Sequence, residues 1–181
     1  MKNLILPLLA AAALLVSCDS TSHFSFEEIE FDYPSSWTIK NQDTDDDTMA
    51  IMLEKPGDAI GYLFIEVFRE NSAISDDEDP DVVGSYLAHV AHNIAEIFIP
   101  DENVTLTDEL EDEDDIYYDT DNKPYEAIDF FEGTYYDSPY YGVVRSMIID
   151  RYRITAYAQA GSEKELDQYI DKVYTTVHFK E

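Results

Sequence analysis

Gly61-Tyr62-Leu63-Phe64-Ile65-Glu66-Val67-Phe68-Arg69-Glu70 is the stretch that decides the fold. Leu63, Ile65 and Val67 fall on one side of a two-residue period, and Tyr62, Phe64 and Phe68 on the other. A half-buried strand alternates apolar with polar, whereas one that is apolar on both faces must be covered twice. The stretch is therefore predicted to be a central strand, and helices are the expected cover. Pro56-Gly57-Asp58 marks the turn that leads into it.

Two segments have the periodicity to supply that cover. Asp79-Pro80 is an N-cap followed by proline at the first helical position, and Val83, Leu87, Val90, Ile94 and Phe98 recur at helical spacing before Pro100. Ser162 with Glu165 reads as a capping box, opening a helix whose stripe is Leu166, Tyr169, Ile170 and Val173. Ahead of the central strand, Ile29, Phe31 and Tyr33 alternate with Glu28, Glu30 and Asp32, giving a half-buried strand that Pro34-Ser35-Ser36 stops. Trp37 and Ile39 resume the alternation, and residues 49–54 return it. Further strands are predicted at 103–107, 125–135, 143–150 and 152–159, with turns at Asp137-Ser138-Pro139 and Asp150-Arg151. Thr175-Thr176-Val177-His178-Phe179 closes the chain as a short strand. Strands, helix, strands, helix, strand defines an α+β domain with a mainly antiparallel sheet flanked by helices.

The first residues belong to a different kind of segment. Lys2 precedes an apolar run through residues 4–16, too short to span a bilayer as a helix, and Leu15-Val16-Ser17-Cys18 closes it. This stretch resembles the lipobox of bacterial lipoproteins, which implies a signal peptide over residues 1–17, cleavage before Cys18 and diacylation of its thiol. Residues 18–25 then form a polar, lipid-anchored tether and residues 26–181 a single domain. Cleavage leaves 10 basic residues against 40 acidic ones. With its one cysteine acylated, the chain has no thiol for disulfide, zinc-thiolate or nucleophilic chemistry. Each buried methylene contributes ~0.8 kcal/mol to holding the chain at a membrane, so two acyl chains anchor it firmly. The expected address is the extracytoplasmic side of the cell envelope.

Phe31-Asp32-Tyr33-Pro34-Ser35-Ser36-Trp37 carries a second resemblance. It is similar to the aromatic-x-Tyr-Pro-x-x-Trp opening of the PsbP/DcrB-like superfamily, and the order of later elements agrees over residues 26–181. The resemblance implies an α/β/α sandwich and a binding or assembly module rather than a catalyst. The acidic segment at 108–115 departs from that pattern.

A formal charge of −29 excludes nucleic acid, whose phosphates it repels. Residues 70–122 hold 18 acidic residues and no lysine or arginine. Asp76-Asp77-Glu78-Asp79 precedes a helix N-terminus, where carboxylates are favoured by the dipole. Glu109, Glu111, Asp112, Glu113, Asp114 and Asp115 have no such role, so they are the candidate interaction surface, suited to a partner with a basic face. Asp43, Asp45 and Asp47 followed by Glu54 have the acid spacing of a calcium loop, but Thr48 stands where its sharp turn needs glycine. They are the candidate metal ligands of an alternative reading, calcium held by acidic loops; otherwise no cofactor is implied.

His89, His92 and Glu96 share one helix face that is expected to meet water, a poor setting for metal. His23 and His178 have no evident partner in the sequence. The doublets Tyr117-Tyr118, Tyr135-Tyr136 and Tyr140-Tyr141 place one ring on each face of a strand. There is no G-x-S-x-G, no H-E-x-x-H and no phosphate-binding glycine loop, so no catalytic residue is assigned. A hydrolase would need a carboxyl pair with one acid kept protonated. The resulting expectation is a membrane-anchored envelope lipoprotein that binds another envelope protein without catalysis.

Overall fold

The computed structural model describes residues 21–27, 29–45, 47–69, 79–99, 103–107, 116–119, 124–149 and 152–179, with side chains at all of these except 170, 171 and 174. The strands are β1 (Thr21–Phe26), β2 (Ile29–Pro34), β3 (Thr38–Thr44), β4 (Thr48–Glu54), β5 (Tyr62–Arg69), β6 (Val104–Leu106), β7 (Tyr117–Asp119), β8 (Glu126–Tyr135), β9 (Ser138–Ile149), β10 (Tyr152–Ala160) and β11 (His178–Phe179). Two helices, α1 (Pro80–Phe98) and α2 (Glu163–Thr176), follow β5 and β10.

The doubly apolar stretch is β5, an interior strand. The main sheet runs β3-β4-β5-β10-β9-β8-β6, with β7 also pairing β8, and β1-β2-β11 form a second, smaller sheet. All pairings are antiparallel. On one face of β5, Leu63, Ile65 and Val67 join Ile51, Leu53 and Ile154 beneath Leu166, Tyr169 and Val173 of α2 and Phe24, Ile29 and Phe31 of the small sheet. On the other, Tyr62 and Phe64 meet Tyr157 and Phe98 under α1. Burying each large apolar side chain contributes about 1.5–3 kcal/mol, so both faces demand this cover. One of the two covering layers is thus part helix and part sheet. The fold is mostly antiparallel β with two helices.

The local signals act largely as read. Asp79 caps α1 by accepting from the Asp81 amide at 3.1 Å, and Pro80 starts the helix. Tyr136 and Asp137, at φ 46° and 62°, make a two-residue turn between Tyr135 and Ser138. β9 consequently begins at Ser138, earlier than predicted, and Ser138 and Pro139 belong to the strand rather than to the turn. Asp150-Arg151 lie outside the described residues, although β9 and β10 pair on either side of them at Ile149 and Tyr152.

Three segments differ from the sequence reading. Residues 21–25 are not loose tether: β1 pairs with β2 along its length and buries Phe24 against Phe31, ring centroids 4.8 Å apart. Polar as it is, that strand forms because β2 offers it an open edge. The terminal strand is shorter than 175–179, since α2 runs on through Thr176. There the threonine hydroxyl donates to the Lys172 carbonyl at 2.7 Å and accepts the Asp32 amide at 2.8 Å. Finally, His92 is half-buried with its Nδ1 fully enclosed, not on a water-facing side. Gly84 and Ala88, both buried, lie on the same i, i+4 row, and Tyr118 of β7 fills the space over Gly84. Small residues widened the covered stripe beyond the large apolar side chains.

Candidate functional site

A candidate site lies where the β2–β3 corner, the end of β4 and one face of α2 converge. Pro34, Ser36, Trp37, Lys55, Glu165, Gln168, Tyr169 and Lys172 line a cavity of about 330 Å³ there. That volume is at the lower end of small-molecule pockets. The Trp37 amide donates to the Pro34 carbonyl at 2.9 Å, closing the corner, and the indole packs edge-on against Tyr169 at 4.5 Å. Trp37 is 5% exposed, and its Nε1 is buried with no hydrogen-bond partner among the described residues. A buried donor left unmatched costs roughly 1–3 kcal/mol, which makes this atom conspicuous.

Lys55 forms one wall. It follows β4 and precedes a turn in which Gly57 takes φ 82°, open to glycine at little cost. That turn brings Asp58 back, its Oδ2 3.1 Å from the Lys55 ammonium, while its Oδ1 accepts the amides of Ile60 and Gly61 at 3.0 and 3.1 Å. From α2, Glu165 accepts from the same ammonium. Tyr169, four residues on, lines the same cavity beside Glu165 and Lys55. The Glu165 bond holds the Lys55 pKa well above the ordinary value against the opposing effect of burial. Burial pushes Asp58 and Glu165 upward, but the Ile60 amide and Lys55 for the one, and Lys55 and Tyr169 for the other, leave both below the usual carboxylate range. Lys55, Asp58 and Glu165 are all ionised at neutral pH, whereas burial keeps the Tyr169 hydroxyl neutral.

This pins α2 to the β4–β5 turn. Lys55→Met is expected to lower stability by about 1–2 kcal/mol at pH 7, measured by urea unfolding. Because both carboxyls are depressed, their contribution is present above about pH 4 and lost as the pH falls through their folded values. The gap between wild type and variant should therefore shrink at pH 3. For Lys55 the sign is opposite: its contribution holds below its ordinary pKa and disappears only as the pH rises through the elevated folded value. A more open hollow of about 590 Å³ lies beyond Lys55, bounded by Pro56, Gly57, Tyr135, Tyr136 and Ser138.

Other sequence-predicted residues fare differently. Asp43 lies in β3, its Oδ1 accepting the Thr44 amide at 3.0 Å. Asp45 caps the β3–β4 turn, accepting the amides of Asp47 and Thr48 at 3.1 and 2.8 Å. Thr48–Glu54 is strand β4, carrying Glu54 to its far end beside Lys40, 3.1 Å away, so no twelve-residue calcium loop forms. Asp45 and Asp47 border only a crevice of about 40 Å³. Among the described residues no group of three His, Cys, Asp or Glu is gathered to hold a metal ion. Cys18 and the acidic set Glu109, Glu111, Asp112, Glu113, Asp114 and Asp115 lie outside the described residues.

Strand pairing joins residues that sequence left apart. His23 stands opposite Asp32 and His178 opposite Glu30 on the outer face of the small sheet. The His23 Nδ1–Asp32 Oδ1 distance is 2.9 Å, and Glu30 Oε2 lies 3.0 Å from His178 Nε2 and 3.7 Å from His23 Nε2. The Thr176 carbonyl and then Glu30 raise the His178 pKa. Of the tyrosine doublets, Tyr140 is buried and bonded to Tyr157, hydroxyl to hydroxyl, at 2.7 Å, whereas Tyr117 and Tyr136 are exposed.

These features define a small, mostly antiparallel β domain with two helices and a lysine-walled cavity at one corner. The domain is similar in fold to a crystal structure from Bacteroides thetaiotaomicron VPI-5482, with a TM-score of 0.50 and 10% identity, over 88% of this chain and 48% of that one. The chain thus spans about half the length of that protein. The solution structure of cyanobacterial PsbP (CyanoP) from Synechocystis sp. PCC 6803 aligns at a TM-score of 0.49 and 15% identity, over 91% of this chain and 95% of that one. No protein family and no curated protein matches the sequence.

Proposed function

We propose that this chain is an envelope lipoprotein, acylated at Cys18, whose PsbP/DcrB-like α/β/α domain binds another envelope protein without catalysis. The observation that carries the binding reading is the Trp37 cavity, because it lies beside the motif behind the family resemblance and is walled by Lys55, Glu165, Gln168 and Lys172. Phe31 and Trp37 of that motif are both buried, one between the sheets and the other on α2. The non-catalytic reading draws on the state of the carboxyls at this corner. Asp58 and Glu165 are both pushed down by their partners, so neither is kept as a proton donor. A chain with a formal charge of −29 favours a partner with a basic surface, and anchoring raises its effective concentration there.

Two measurements test this. In its own host, wild-type protein is expected in the membrane fraction with a mass that includes acyl chains on residue 18, and Cys18→Ser is expected to move to the soluble extracytoplasmic fraction. An intact leader or a free thiol at Cys18 would remove the lipoprotein reading. Crosslinking and capture from native membranes should yield one specific partner, lost at high salt if the acidic surface draws it in. Recovery of none would remove the assembly role.

A further inference from the structure

We propose that strand β11 is a proton-operated strap: an imidazolium at His178 clasps it to Glu30 of β2, and loss of that proton frees it to uncover the crevice beside Phe179. β11 pairs with β2 at only two positions, His178 with Glu30 and Phe179 with Ile29. A strand this short has little hold of its own. His178 Nδ1 lies 3.0 Å from the Thr176 carbonyl oxygen, and its Nε2 lies 3.0 Å from Glu30 Oε2. Both oxygens can only accept, and a neutral imidazole carries a single N–H. Deprotonation therefore leaves a ring lone pair facing one of these oxygens. Only the imidazolium serves both, so the clasped arrangement is the protonated one.

The groups around His178 favour that charge. Among the described residues, Glu30 and Asp32 face it from β2, His23 stands across Glu30 on β1, and α2 presents the Thr176 carbonyl. Glu30 Oε1 accepts from the Ser25 hydroxyl at 3.0 Å, which leaves Oε2 to His178, with His23 Nε2 farther off at 3.7 Å. His23 turns its Nδ1 to Asp32 at 2.9 Å. The Thr176 carbonyl and then Glu30 hold the His178 pKa above its ordinary 6.5. A raised folded value means that the clasp is complete below about pH 6.5 and is lost as the pH rises through that folded value. This places the change beside neutrality, the range in which histidine acts as a switch. What the clasp holds is Phe179, stacked on Tyr152 with ring centroids 3.9 Å and planes 9° apart. Both rings line the crevice of about 40 Å³ between the two sheets, together with Phe26, Ile29, Met49 and Val67. Release of β11 takes away the Phe179 wall.

Nuclear magnetic resonance of the isotope-labelled, full-length protein tests the strap at constant ionic strength. The His178 ring shifts and the cross-relaxation peaks between the Phe179 and Tyr152 rings are followed from about pH 5.5 to about pH 8.5, a window spanning the histidine range. The ring–ring peaks are expected to be strong at the acid end and to weaken about three- to tenfold, with the midpoint of the His178 titration, because an exposed pair shifts the equilibrium only modestly. Glu30→Gln should move both midpoints to lower pH together. His178→Gln, at an exposed position, should make the ring–ring contact independent of pH while the main-sheet amide shifts stay in place. His23→Gln should leave the contact following His178. A Phe179–Tyr152 contact that stays constant across the range in the wild type overturns the proposal. So does a midpoint that persists in His178→Gln or vanishes in His23→Gln.

Discussion

Phe31→Ala is expected to cost the domain about 3–5 kcal/mol, a large part of the 5–15 kcal/mol by which domains of this size are stable. Phe31 is wholly buried in the middle strand of the small sheet, where it stacks on Phe24 and belongs to the core shared with Leu63, Ile65 and Tyr169. A three-stranded sheet this small, two of its strands six residues long and the third only two, has little independent stability, so it persists through the face it presses on α2 and the main sheet. Removing the ring leaves a cavity that β1 and β2 cannot fill without losing their pairing. Urea unfolding followed by both Trp37 fluorescence and far-UV circular dichroism should show coincident transitions at lower urea, because Trp37 reads the corner and the dichroism reads the whole chain. A loss below about 1 kcal/mol would mean that the two sheets do not share one core.

Such coupling was visible in the sequence only from one side. The alternation of Ile29, Phe31 and Tyr33 marked a half-buried strand, and the doubly apolar run at Leu63–Val67 marked the sheet it had to meet. β1 was not legible, because Thr21–Phe26 carries a single buried apolar residue, Phe24, and owes its strand conformation to the edge that β2 presents. Thr175 and Thr176, β-branched and followed by Val177, read as strand; tertiary contacts keep them helical, with the Thr176 hydroxyl bonding both its own helix and β2.

The cavity was harder still. Ser162 and Glu165 have the spacing of a capping box, and Ser162 does stand at the N-cap, but it makes no side-chain cap bond. Glu165 bonds Lys55 instead, 110 positions earlier in the chain. Nothing local distinguishes a glutamate that closes its own helix from one that reaches across to another element. Trp37, Lys55, Tyr169 and Lys172 come from three separate segments, and only the crossing of α2 over the β2–β3 corner brings them together. The acids that sequence did single out, Asp43 and Asp45, are used locally to shape a turn.

Arg153→Met should be the next most damaging change, at about 3 kcal/mol, because it strands a partly buried acid beneath α1. The Arg153 side chain is 12% exposed; its Nη2 donates to Glu66 Oε1 at 2.8 Å and its Nη1 to the Tyr86 hydroxyl at 2.5 Å. Its guanidinium also lies 4.9 Å from the centre of the Phe68 ring. Methionine keeps much of the packing but leaves Glu66 without its cation and removes the Arg153 bond from Tyr86, on a face only partly open to water. The cost belongs to that isolated charge more than to the lost attraction, since two desolvated ions regain little net energy by pairing. The double variant Arg153→Met/Glu66→Leu is therefore expected to recover most of the loss, and urea midpoints of the wild type, both single variants and the double form the cycle that checks it. If the double variant instead falls by the sum of the two single losses, the pair acts as two independent packing contacts and the charge argument fails.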